Sequence, residues 1–61
     1  MGKMVYIESK DGNLFRGYGR GNPVERWDDN GRQFVKYEGG PKPEGWGDVI
    51  DAARALELMN V

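Results

Sequence analysis

Asp48 to Met59 reads D-V-I-D-A-A-R-A-L-E-L-M and is the one stretch with a clear helical period, so it dictates what the remaining chain must supply. Val49, Ala52, Ala53, Leu56 and Met59 recur at spacings of three and four. They predict one apolar helix face, with Ile50 on its flank and Asp51, Arg54 and Glu57 toward the opposite side. Asp48 suits the N-cap, Asp48 and Asp51 place negative charge at the positive end of the helix, and Gly47 and Pro43 keep the preceding chain non-helical. Asn60 suits the C-terminal cap. The spacing therefore predicts a helix over residues 48–60. A lone helix of about a dozen residues is marginal in water, so its stripe must be buried, and the only candidate to bury it is a sheet.

With 61 residues the chain is expected to form a single small domain, 1–61, near the size at which one core barely offsets chain entropy. It contains no cysteine and no histidine, which removes disulfides, thiolate metal sites, and the commonest metal ligand and general base. No apolar run approaches a membrane span and no signal-like segment opens the chain, so the expectation is a cytoplasmic protein with no membrane partner. The formal net charge is −1, unevenly spread. Lys3 to Tyr37 carries seven basic against five acidic residues, and Glu38 to Val61 two against five. That imbalance favours docking the two halves on each other and falls short of the basic stripe of a nucleic-acid binder.

Strands are expected within residues 3–37, followed by a Gly/Pro connector, 38–47. Met4 to Ser9 is rich in β-branched and aromatic residues. Asp11-Gly12 is a two-residue hairpin signal that would set Ile7 opposite Arg16, Val5 opposite Tyr18 and Glu8 opposite Phe15. Gly17, Gly19 and Gly21 predict a bulge or bend, and Asn22-Pro23 a turn. Val24 to Trp27 and Gln33 to Tyr37 flank Asn30-Gly31, which would pair Trp27 with Phe34, Glu25 with Lys36 and Val24 with Tyr37. Trp46 stands alone in the connector and is expected to plug the open edge of the core. The fold class that follows is α+β: an antiparallel sheet of three or four short strands, in two hairpins, packed by one C-terminal helix.

No cofactor, metal or catalytic residue is indicated. Gly17-x-Gly19-x-Gly21 lacks the following helix and spacing of a phosphate loop. Asp28-Asp29-Asn30-Gly31 fails as a calcium loop, because aligning Gly31 puts Arg26 and Tyr37 at ligand positions. The carboxylates Glu8, Glu25 and Asp29 read as solvated strand charges, and Ser9 is the only aliphatic hydroxyl, with no base to activate it. The reading is therefore not an enzyme.

Because one helix covers one side of a sheet, the other side is expected to be a contact surface. Arg16, Tyr18, Arg20, Arg26, Trp27 and Tyr37 are the partner-binding candidates, since Tyr, Trp and Arg dominate interface hot spots. The first reading is a protein-interaction module, an adaptor or inhibitor of the kind common among accessory proteins of bacteria and their phages. A homodimer through a strand edge is its variant. The alternative is a nucleic-acid-binding domain using Arg16, Arg20, Arg26 and Arg32. Its order of elements resembles the arm-binding domains of phage integrases and the plant AP2-type domains, whose three-stranded sheet reads the major groove. Pro43-Glu44-Gly45-Trp46 is similar to the Pro-x-Gly-Trp element of MbtH-like proteins, the small partners of peptide synthetase adenylation domains. The rest of that signature is missing and the expected helix follows Trp46 directly, so the family is not assigned.

Overall fold

The β-branched and aromatic runs do form strands, joined by turns that Gly, Asn and Asp permit. The computed structural model describes residues 3–60. In chain order it holds β1 (Val5–Ser9), β2 (Leu14–Gly17), β3 (Pro23–Asp28), β4 (Gln33–Lys36), β5 (Gly47–Ile50) and α1 (Ala52–Met59). All pairings are antiparallel and the spatial order is β4-β3-β2-β1-β5. The class is α+β with one C-terminal helix, but the sheet has five strands rather than three or four.

The additional strand comes from the segment assigned above to the connector and the first helical turn. Gly47, Asp48, Val49 and Ile50 lie opposite Ser9, Glu8, Ile7 and Tyr6. Two adjacent β-branched residues favour an extended backbone, and β1 would otherwise present an open edge. The helix consequently starts at Ala52, with Asp51 rather than Asp48 as its N-cap. The Asp51 carboxylate accepts the Arg54 backbone N–H at 2.9 Å. Asn60 caps the other end in the left-handed conformation, φ 64°. The predicted apolar stripe is also corrected. Ala55 is fully buried, Leu58 and Met59 are half-buried, and Val49 and Leu56 are 52% and 50% exposed. Starting three residues later, the helix turns Ala55 toward the sheet in place of Leu56.

The first hairpin is shifted by one residue from the expected register: Ile7 faces Phe15, Tyr6 faces Arg16 and Glu8 faces Leu14. Its loop has three residues, not two. The Gly12 N–H donates to the Ser9 carbonyl, the Ser9 N–H donates to the Asn13 carbonyl, and Gly12 has φ 87°. That is the type I turn closed by a left-handed glycine that three-residue hairpins use. A one-residue slip exchanges the faces of a strand, so Phe15 joins Ile7 and Arg16 joins Tyr6. The second hairpin has the expected register, with Trp27 opposite Phe34 and Glu25 opposite Lys36. Between the hairpins, the register shifts at Arg16/Gly17, where a bulge or bend was expected.

Leu14 and Phe15 are neighbours on one strand and point to opposite faces, yet they are only 3% and 6% exposed. Both sides of β2 are therefore covered, contrary to the expectation that one whole side is free. On the Phe15 side the cover is Tyr37 and Trp46, edge-on to Phe15 with ring centroids 5.2 and 5.0 Å away. On the Leu14 side it is α1, which lies against β1 and β2. Arg54 anchors the helix to Glu8, which shares the Leu14 side, through Nε–Oε1 and Nη2–Oε2 contacts of 3.0 and 2.9 Å.

β5 approaches β1 closely at Gly47, where an added Cβ would stand 2.6 Å from the Glu8 carbonyl oxygen. Gly47→Ala should thus cost about 1–3 kcal/mol. Gly19→Ala, with nothing within 4 Å of its Cβ, should stay within about 0.5 kcal/mol of the parent. Urea unfolding of the two variants checks this. The hydrogen bonds from Arg54 hold the Glu8 carboxyl below its ordinary pKa of 4.5, with the guanidinium charge adding to the effect. A depressed carboxyl pKa contributes stability that is complete above that pH and is lost as acid protonates the group through its lowered value. Thermal midpoints should fall on acidification below about pH 4.5, and Glu8→Gln should give a lower midpoint at neutral pH and a shallower acid-induced fall.

Candidate interaction surface

On the Leu14 side α1 covers only the β1 and β2 end of the sheet, and the part toward β3 and β4 carries an aromatic ladder. Tyr6 and Phe34 have ring centroids 6.2 Å apart, and Phe34 and Trp27 are edge-on at 5.2 Å. β1 and β4 are three places apart in the sheet. Strands spaced about 4.8 Å apart put some 14 Å between them, so the two rings must lean over Arg16 and Glu25 to meet. The Arg16 guanidinium lies 4.0 Å from the Phe34 centroid, and its Nε donates to Glu25 Oε1 at 2.7 Å. Arg16 and Glu25 are each about a third exposed.

The tip of the second hairpin extends the ladder. Asp28 accepts the Asn30 N–H at 3.1 Å, an Asx turn, and Trp27 Nε1 donates to Asp29 Oδ1 at 2.9 Å. The left-handed residue here is Arg32, φ 55°, not Gly31. Non-glycine residues in that region carry strain of about 1–3 kcal/mol. At Arg32 it accompanies a guanidinium placed over the Trp27 ring at 5.9 Å. A contiguous aromatic surface with two arginines laid on it results.

The candidates chosen from sequence separate. Arg16 and Trp27 belong to the ladder. Arg26 is exposed but lies on the Phe15 side, directly opposite Phe15 on the neighbouring strand. Tyr37 is on that side too, packed on Phe15. Tyr18 is 59% exposed in the turn after β2. Arg20 is exposed, and its carbonyl accepts the Trp46 indole N–H. Tyr6, Phe34 and Arg32 complete the ladder; Arg32 was a candidate only for the nucleic-acid alternative and Tyr6 and Phe34 for neither reading, although with the correct first-hairpin register alternation alone groups Tyr6, Arg16, Trp27 and Phe34. Ser9 is buried, and its hydroxyl accepts the Asn13 N–H at 3.1 Å, so it closes the hairpin loop.

No protein-family model matches the chain, and neither a curated protein nor a solved structure shows significant similarity to it.

Arg16 contributes an ion pair about a third exposed and a cation–π contact, each worth about 0.5–1 kcal/mol. Arg16→Ala should therefore lose about 1 kcal/mol in denaturant unfolding, and Arg16→Lys should restore only part of it, because an ammonium neither stacks flat nor forks.

Proposed function

We propose that this chain is a non-catalytic protein-interaction module that binds a protein partner through the Tyr6–Phe34–Trp27 ladder. The observation that carries the reading is the ladder itself: three half-exposed rings and two arginines already fixed in position, on the part of the sheet that α1 leaves uncovered. Prefixed aromatic and arginine side chains lose little entropy on binding, which is why they dominate hot spots. The charges favour protein over nucleic acid. Glu25 pairs with Arg16, Asp29 stands beside Trp27, and Glu38 approaches Lys36 at 3.9 Å. Phosphates would meet those carboxylates at close range, whereas a protein surface can offer an apolar side chain to the ladder and a single carboxylate to Arg32. The order of elements that suggested a three-stranded groove reader also gives way, since β5 adds a strand beside β1.

The test is affinity capture with the tagged chain, with and without nuclease, followed by measurement of each captured protein against the parent chain and three variants in purified form. Trp27→Ala and Phe34→Ala should weaken binding at least about tenfold, as expected of hot-spot rings, while Tyr18→Ala leaves it unchanged. Binding that vanishes with nuclease, or that survives both ladder variants, overturns the reading. Retardation of DNA or RNA in a low-salt gel, where phosphate contacts are strongest, would replace it with the nucleic-acid alternative.

A further inference from the structure

The Phe15 side holds a second aromatic arrangement, separate from the ladder. Lys42 lies in the connector between Pro41 and Pro43, with its backbone N–H donating to the Gly21 carbonyl at 3.0 Å. Its Nζ stands 5.0 Å from the Tyr37 ring centroid and 5.6 Å from that of Trp46. Both lie within the roughly 6 Å reach of a cation–π contact. The two rings are braced rather than loose, since each meets Phe15 edge-on, at interplanar angles of 82° and 78°. The Trp46 indole is also tied to the Arg20 carbonyl through its N–H. Two carboxylates lie close to Lys42 in sequence, Glu38 and Glu44. Neither pairs with it, and Glu38 approaches Lys36 instead. The ammonium is therefore held by ring faces, in a setting where acids were within a few residues.

A primary ammonium is a compact, strongly hydrated charge and gives up water to sit there. An alkylated ammonium holds water less tightly and presents methyl groups to the rings, which is the chemistry aromatic cages select. We propose that Tyr37 and Trp46, floored by Phe15, form a binding site for an alkylated ammonium, with Lys42 as its tethered resident that a better cation displaces. A free quaternary ammonium and a methylated lysine side chain share this chemistry. The proposal does not depend on the ladder or on its partner.

The two tryptophans give two indole N–H resonances, and Trp27→Phe assigns them. In Lys42→Ala, tetramethylammonium chloride should shift the Trp46 indole saturably and leave the Trp27 indole in place. The parent chain should bind at least about tenfold more weakly, because its own ammonium competes at the high effective concentration of a tether. Choline should shift Trp46 likewise, and its uncharged isostere 3,3-dimethylbutanol should shift it less than choline at equal concentration. A trimethyllysine peptide that binds more tightly than tetramethylammonium identifies a protein side chain as the source, and equal affinity identifies the free cation. Lys42→Gln repeats the test with a neutral side chain if the alanine variant loses its dispersed spectrum. No saturable Trp46 shift in a folded variant, an equal shift at Trp27, an equal response to the alcohol, or unfolding of both variants overturns the proposal.

Discussion

The close approach of β5 to β1 at Gly47 is the constraint from which the rest of the arrangement follows. With no Cβ at that position, the backbone carrying Trp46 can return alongside Ser9, and the Lys10 N–H reaches the Trp46 carbonyl at 2.9 Å. Docking β5 there places Trp46 against Phe15 on one side, and starts α1 where Arg54 can reach Glu8 on the other. The fully buried side chains are few, Ile7 and Ala55 among them, so a chain with this little interior relies on the connector and the helix closing over β2 together.

What the residues made legible follows from how local each signal is. The second hairpin could be read because Asn30-Gly31 is centred between the two runs, and any loop symmetric about it gives the same pairing. The first hairpin slipped because Asp11-Gly12 serves two turn types, and the three-residue form moves every partner by one. Trp46 was legible as a residue that packs on the core, but it covers Phe15 on the central strand rather than an open edge. The strand at Gly47–Ile50 was not legible. D-V-I-D-A-A fits a helix by period, and only the need of β1 for a neighbour, a long-range fact, tips Val49 and Ile50 into a strand.

The same slip explains why the candidate surface was only half visible from the sequence. Arg16 and Trp27 were chosen for their residue type, while Tyr6 and Phe34 enter only when alternation is counted in the observed register. Tyr37 and Arg26 have the right residue types for an interface and the wrong side of the sheet for this one. Composition identifies which side chains can bind, and pairing decides which of them stand together.

The strand order carries a consequence for folding. Four strands form a simple meander of sequence neighbours, whereas the partner for the outer edge of β1 comes from a later and distant segment. While Gly47–Ile50 is undocked, the meander exposes the edge of Val5–Ser9, with unpaired donors and acceptors, to any neighbouring chain. Docking of β5 is also strongly non-local, since it pairs Ile7 with Val49, and such contacts close slowly. The state most open to mispairing is therefore the four-strand meander before its fifth strand docks.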